Sequence, residues 1–300
     1  MGHITHGLGF MAFDTADLDG SLREAVEVMG LRIVHQDARM AILTSNAKRA
    51  ELVLHAAEPG ERSGGMRAIG LQAHDAEAVT AAAARAQAAG LSIVSTTPSL
   101  PFLERSVTFL TPEGHAFEVH TPIPEDQPLR YVAPGVHPRK LDHVGPKTRD
   151  TVELARVLNQ VLGLQISDRS SGNELCFMRS GNGQHHTCSL IKDDEPGLHH
   201  YAWEFWDVTD FVKLGDGLAL ADRRLTFGPG RHGAGDNIYT YHLDRTGVMV
   251  ECCTGMEIVN DDAHREIKVW ESADPNLINL WGVMPPEAWL SHRSPLSSRG

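Results

Sequence analysis

Alternating apolar stretches, each followed by a helix-like run and then by further short β-rich runs, recur four times along the chain. The first copy predicts a strand over residues 8–13, a helix over 18–29 stopped by Gly30, and strands at 40–44 and 51–55. In the second, a strand at 68–73 leads to Asp75, an N-cap for the alanine-rich helix that ends at Gly90, and then to strands at 91–95, 106–110 and 116–120. The third predicts strands at 141–144, 164–167, 174–178 and 186–191 around a helix at 150–162. Strands at 201–205, 225–228, 238–243 and 248–252 around a helix at 208–221 complete the fourth, so the chain reads as four βαβββ units.

Two local matches set these units in a larger repeat. Val28-Met-Gly-Leu-Arg-Ile33 matches Val161-Leu-Gly-Leu-Gln-Ile166, and Thr111-Pro-Glu-Gly-His-Ala-Phe-Glu-Val119 matches Asp244-Arg-Thr-Gly-Val-Met-Val-Glu-Cys252. Gly30 and Gly163, like Gly114 and Gly247, are 133 residues apart, and one offset shared by two matches in the same order is far less expected by chance than either match alone. The predicted organisation is an N-terminal domain over 1–121, a linker over 122–139, a C-terminal domain over 140–256 and a tail over 257–300. The linker holds Pro122, Pro124, Pro128, Pro134 and Pro138; the tail, with Trp270, Trp281, Trp289 and Pro285-Pro286, is too apolar in places for an unattached segment and is expected to pack as a lid or a subunit contact. One βαβββ unit leaves a sheet face open, so units are expected to pair into a curved sheet around a cavity, giving an α+β fold of two paired-module domains.

Composition narrows the function. With 300 residues, 41% hydrophobic and 22% charged, the chain can bury real cores, which excludes collagen, long disordered arms and coiled coil. Lys plus Arg total 27 against 39 Asp plus Glu, a net charge of -12, so nucleic acid and anionic membrane surfaces are not expected partners. The apolar run at 7–13 is cut by Asp14 and is too short for a secretory signal, and no stretch approaches the ~20 apolar residues of a membrane helix. Cys176, Cys188, Cys252 and Cys253 lack zinc-type spacing, and the adjacent pair would point to opposite faces of a strand; reduced thiols in a cytoplasm are expected. The 17 histidines raise the expectation of a metal or acid/base site without locating it.

Three polar residues interrupt predicted core strands of the second half. His143 lies in Leu141-Asp-His-Val144, His200 precedes Tyr201-Ala-Trp-Glu-Phe205, and Glu251 lies inside Val248-Met-Val-Glu-Cys-Cys253. A buried carboxylate is costly unless paired or metal-bound, and two His with one carboxylate form the facial triad of non-haem Fe(II) oxygenases. Taken singly, each is as well explained as a satisfied core polar group.

This arrangement resembles the vicinal oxygen chelate superfamily (the glyoxalase/bleomycin-resistance/dioxygenase fold), and within it the two-domain extradiol ring-cleaving dioxygenases of the catechol 2,3-type, over nearly the whole chain. Those enzymes carry a His on the first strand of the third unit, a His-His pair opening the fourth and a Glu near its end; here these are His143, His199-His200 and Glu251. They also carry a His followed after nine residues by a Tyr and after ten more by the Glu ligand, a spacing met by His232, Tyr241 and Glu251. The resemblance implies Fe(II), or alternatively Mn(II), held by His143, His200 and Glu251, a catecholic substrate with a single ring, a substituent or a second ring, and O2, in aromatic compound catabolism by a homo-oligomer. It further implies that His186 is the acid/base histidine, with its neighbour His185 as the alternative, and that His232 and Tyr241 bond the bound catecholate. Asp236 resembles a carboxylate of some members but stands about one position out of place.

A metal lowers the pKa of a chelated diol, and a His suits proton transfer in both directions near neutrality. Phe177, Leu190, Trp203 and Tyr239 are candidate pocket walls, each equally readable as core. At the 133-residue offset Glu118 matches Glu251, but Phe10 stands in place of His143, and the strand Ala68-Ile-Gly-Leu-Gln72 has no His, so the first half is expected to be structural. His3, His6, His35, His55 and His74 read as surface or packing residues. Two alternatives remain: a non-oxidative metalloenzyme of the same fold, such as a glyoxalase-like isomerase or a thiol transferase, which has no need of His186, His232 and Tyr241 as a set, and a metal-free binding protein, which has no need of the ligands.

Overall fold

The computed structural model describes residues 2–45, 47–58, 60, 63–126, 135–260 and 264–298, so Pro128 and Pro134 of the expected linker lie outside the described residues. The four units are all present. They run β1 (Thr5–Thr15), α1 (Leu18–Glu27), β2 (Arg32–Gln36), β3 (Met40–Thr44), β4 (Leu52–Ala56); then β5 (Met66–Ala73), α2 (Ala76–Ala88), β6 (Ser92–Ser95), β7 (Ser106–Leu110), β8 (Ala116–His120). The second half has β9 (Lys140–Thr148), α3 (Thr151–Leu162), β10 (Gln165–Ser170), β11 (Leu175–Arg179), β12 (Cys188–Lys192), and β13 (Gly197–Glu204), α4 (Asp210–Leu220), β14 (Leu225–Arg231), β15 (Ile238–Leu243), β16 (Met249–Thr254). Beyond them come β17 (Lys268–Trp270), a 3-10 turn (Pro275–Leu277) and the short α5 (Glu287–Leu290).

Local chemistry explains where the helices start and stop. Asp75 accepts from Ala78 N at 2.8 Å, and Asp150 accepts from both Val152 N and Glu153 N at 3.0 Å, caps that stabilise a helix by about 1 kcal/mol each. α3 ends where Gly163 takes φ +73°, a left-handed conformation that favours glycine. Its inner face buries Leu154, Val157, Leu158, Val161 and Leu162.

Two sheets result, ordered β2-β3-β4-β1-β5-β8-β7-β6 and β14-β15-β16-β13-β9-β12-β11-β10-β17. Within every unit the last strand returns parallel to the first, and the two first strands of a pair run antiparallel at the centre. This topology brings β16, β13 and β9 side by side, so one inward residue from each can meet at a single point. Those central strands are buried on both faces. The apolar cores of the two halves merge: Met11 and Phe13 of β1 pack in one cluster with Val144 of β9 and Tyr201 and Trp203 of β13.

β13 starts at Gly197, four residues before the predicted strand, so both histidines of the pair lie inside it. The extension is held on each side: Gly197 and Leu198 pair with Lys147 and Pro146 of β9, and Leu198 exchanges two backbone hydrogen bonds with Ser294 of the tail at 2.8 and 2.9 Å. Other tail residues clasp the first sheet, with Met66 N donating to Pro295 O and Ser297 N to Met66 O. In the first half Phe10 lies over Gly70 and within 5.3 Å of the His120 ring, while Glu118 is buried and accepts from Ser99 N at 3.1 Å.

Candidate metal centre and its histidine pairs

His143, His200 and Glu251 come from β9, β13 and β16, and their ligand atoms all lie within 4.8 Å of one another, fully buried. Glu251 Oε2 is the meeting point, 3.1 Å from His143 Nε2 and 3.3 Å from His200 Nε2. Tyr241 OH donates to the same oxygen at 2.6 Å, and Asn237 Nδ2 donates to Oε1 at 2.9 Å. The register of β15 on β16 places Tyr241 directly opposite Glu251, which accounts for the ten-residue spacing in the sequence.

The outer ring nitrogens fix the tautomers. His143 Nδ1 donates to Asp142 Oδ2 at 2.8 Å, and Asp142 Oδ1 accepts from Gln184 Nε2. His199 Nε2 donates to the Trp289 carbonyl at 2.8 Å, so its Nδ1 carries a lone pair and accepts from His200 Nδ1 at 2.7 Å. His200 Nε2 is thereby left as a bare lone pair, and it is a buried atom without a hydrogen-bond partner. An unsatisfied imidazole nitrogen, a second one shared with a carboxylate and a dry surround match what a divalent ion such as Fe(II) or Mn(II) requires.

Charge points the same way. Burial works against a charged His143 ring, but the Glu251 charge and the bonds to Asp142 and Glu251 outweigh it and push its pKa to about 9. The proton so held on Nε2 sits where a cation would bind, so metal uptake must displace it. Burial and the neighbouring His199 and His143 keep His200 neutral, far below the usual histidine value. Asp142, His143 and Cys253 also cluster within ligand distance, yet burial and the Asp142 charge hold the Cys253 thiol well above its ordinary value, which makes it a poor ligand beside the carboxylate set.

The remaining expected residues surround this group. The His186 ring is 4.5 Å from the His143 ring and 5.2 Å from Phe177, with His185 behind it. His232 Nδ1 donates to Ile278 O at 2.6 Å, its Nε2 lies 3.0 Å from Tyr241 OH, and Tyr239 stacks on its ring at 3.8 Å. Phe177 and Tyr239 therefore sit at the site. Leu190 and Trp203 do not: each points to the opposite face of its strand, into the core shared by the two halves. Asp236 is also outside, in an exposed turn 3.6 Å from Arg231. Its neighbour Asn237 is the residue that reaches Glu251; standing in step with Tyr239 and Tyr241 on one strand face, it carried a readable signal that the sequence reading passed over.

Gly145, opposite His200 in register, is required by a close approach: a Cβ there would sit 2.5 Å from His200 Cε1 and 2.7 Å from Nδ1. Gly145→Ala is expected to swing the ring off His199 and weaken metal binding by about tenfold or more while the fold persists. Calorimetric metal titration beside a thermal melt checks this; unchanged affinity with the native melt would show that the ring does not need that space.

Residues 26–119 match the family model of the Glyoxalase/Bleomycin resistance protein/Dioxygenase superfamily. Among curated proteins, metapyrocatechase 2 of Cupriavidus necator is 30% identical over 52% of this chain and 48% of its own length. The manganese-dependent 2,3-dihydroxybiphenyl 1,2-dioxygenase of Geobacillus genomosp. 3 is 24% identical over 59% of this chain and 62% of its own. The chain thus spans about half to three fifths of the curated relatives it matches. Solved structures align over nearly all of it: the homoprotocatechuate 2,3-dioxygenase of Arthrobacter globiformis at TM-score 0.89 and 21% identity, covering 100% of this chain and 95% of that one, and the Mn(II)-bound glyoxalase of Novosphingobium aromaticivorans at TM-score 0.87 and 24% identity, covering 99% and 97%. With its four βαβββ units paired into two sheets, the chain has the two-domain fold of the glyoxalase/bleomycin resistance protein/dioxygenase superfamily.

Proposed function

We propose that the protein is an extradiol dioxygenase that opens the ring of a catechol with O2 at a divalent metal, Fe(II) or Mn(II), held by His143, His200 and Glu251. The fold alone is neutral on this, since a glyoxalase and a dioxygenase align equally well. The observation that carries the reading is the convergence of His186, His232 and Tyr241 around the ligand group, a set that proton transfer on a diol needs and an isomerisation does not. The bound metal would supply Lewis acidity toward two adjacent hydroxyls and electron exchange between diol and oxygen.

The side chains supply the rest. His232, with Nδ1–H tied to Ile278 O, presents Nε2 as an acceptor for a hydroxyl proton. Tyr241, whose proton is held tightly because burial and the Glu251 charge raise its pKa well above the usual phenol value, stays a donor and can stabilise an ionised substrate oxygen. Burial and the charges of His143 and His185 keep His186 neutral, so it can take a proton from a substrate hydroxyl and return it when the oxygen–oxygen bond breaks. Phe177 and Tyr239 provide apolar surface for the ring.

The test is aerobic turnover by protein loaded anaerobically with Fe(II) or Mn(II), against diols from catechol to 2,3-dihydroxybiphenyl. Yellow ring-opened product is expected, and the best substrate sizes the pocket. Metal bound at one site per chain with no product from any diol would overturn the dioxygenase reading in favour of an isomerase or transferase.

A further inference from the structure

We propose that the first half of the chain holds a second, metal-free binding site, a cavity over Phe10 and Glu118 that takes a small uncharged aromatic molecule bearing a hydroxyl group. This site does not depend on the dioxygenase reading.

The repeat places it. Phe10 of β1 and Glu118 of β8 stand at the positions that His143 and Glu251 hold 133 residues later. Both pair with Gly70 of β5, so the three form one row across the centre of the first sheet. A Cβ at Gly70 would lie 2.3 Å from the Phe10 ring, so the missing side chain is what lets the phenyl ring lie across that strand. A hydrocarbon thus replaces the imidazole, and a single carboxylate beside a phenyl ring does not make a metal site.

What remains is a cavity of about 390 Å³. Phe10, Ala12, Val53, Ala68 and Leu100 line it, and they belong to an apolar cluster separate from the core that joins the two halves. An apolar cavity of about 150 Å³ already admits benzene, so this one has room for a substituted ring. Val94, also in the lining and 46% exposed, marks where the cavity opens.

The polar lining sets the chemistry of the ligand. Glu118 is 2% exposed and accepts from Ser99 N through Oε1 at 3.1 Å; a carboxyl group has lone pairs on both oxygens, so Oε2 remains available to a ligand. Arg67 also lines the cavity, but Asp14 holds its guanidinium at 2.5 Å. His55 contributes a neutral ring, its pKa brought to about 4 by burial and the Arg67 charge. Burial raises the Glu118 pKa above the ordinary carboxyl value, more than the bonds from Ser99 and Ser106 lower it, which is the behaviour of a carboxyl short of compensating partners. A hydroxyl both donates and accepts, so it pairs with Glu118 whether the carboxyl is ionised or protonated, and the ring that carries it covers the apolar floor.

Methyl NMR tests it, in full-length protein with 13C-labelled Ala, Val and Leu methyls, handled anaerobically with and without added Fe(II). Phenol is expected to shift the methyls of Ala12, Val53 and Leu100 saturably and with equal affinity in both samples. Toluene, which lacks the hydroxyl, is expected to bind there about tenfold more weakly. Glu118→Leu is expected to remove that difference, and Ala68→Phe, which fills the cavity, to remove the shifts while metal content stays the same. First-half methyls that phenol leaves unmoved would overturn the site, and a preference for phenol over toluene that survives Glu118→Leu would overturn the role of its carboxyl. Should a variant fail to fold, the phenol and toluene titrations of the unmutated protein decide alone: equal affinities, or none, would refute a site for a hydroxylated ring.

Discussion

Glu251→Gln is expected to abolish stoichiometric metal binding and turnover while leaving a folded protein. The carboxylate is 1% exposed, with Oε2 shared by His143, His200 and Tyr241 and Oε1 held by Asn237. Glutamine keeps the shape but removes the charge, and either placement of its NH2 creates a conflict: at Oε1 it meets the Asn237 amide donor, and at Oε2 it faces the metal position. Loss of an outer partner alone costs a metal site about 10–100-fold in affinity, and loss of a ligand is expected to exceed that. Because the Glu251 charge is the main force raising the His143 pKa, that ring is also expected to lose its proton at neutral pH in the variant. Metal analysis after dialysis, with circular dichroism to establish folding, checks both parts; a folded variant that retains one metal per chain would remove Glu251 from the ligand set.

Acid is expected to unfold the protein between pH 6.5 and about 4, even with metal removed. Buried neutral histidines drive this, and His120 and His242, neither of them in the ligand group, are two of them. His120 and His242 are 0% and 1% exposed, and burial lowers each to a pKa of about 4, from an ordinary value of 6.5. Below pH 6.5 the unfolded chain takes up protons at these rings and the folded chain does not until about pH 4, so their contribution to stability is complete above 6.5 and declines across that window. Each amounts to roughly 3 kcal/mol over the full window, set against the ~5–15 kcal/mol of a typical folded chain. Urea denaturation at several pH values in the presence of chelator measures the slope, and His242→Gln is expected to flatten it. A midpoint that stays level from pH 7 to 4 would contradict the assignment of these rings as neutral and dry.

Much of this architecture was written in local pattern. Met40–Thr44, Ser106–Leu110, Ala116–His120 and Ile238–Leu243 fall at the predicted residues because alternation and flanking turns mark both ends, and Asp75 caps the helix it was expected to cap, while Asp150, expected as the first residue of its helix, is its N-cap. The convergence of His143, His200 and Glu251 was legible through the repeat, which fixes their strands as neighbours. Trp203, readable equally as pocket wall or core, is core, and strand parity could have decided it: Ala202, not Trp203, pairs with Glu251. Asp168 gave no local signal, because its partners Trp270 and Arg265 arrive from about a hundred residues away through the parallel pairing of β10 with β17. Asp142 was hidden differently, since a carboxylate beside a histidine on a core strand reads as an interruption until the ring nitrogen it holds is seen.

The stretch after β16 supplies the Ile278 carbonyl to His232, the Trp289 carbonyl to His199, and Trp270 and Arg265 to Asp168. Residues up to the end of β16 therefore include His143, His200 and Glu251, but without this stretch the His232 and His199 rings lack their outer anchors and Asp168 lacks these two donors. The stretch that follows the last βαβββ unit thus acts as a splint, setting the ring orientation of histidines that it does not itself carry.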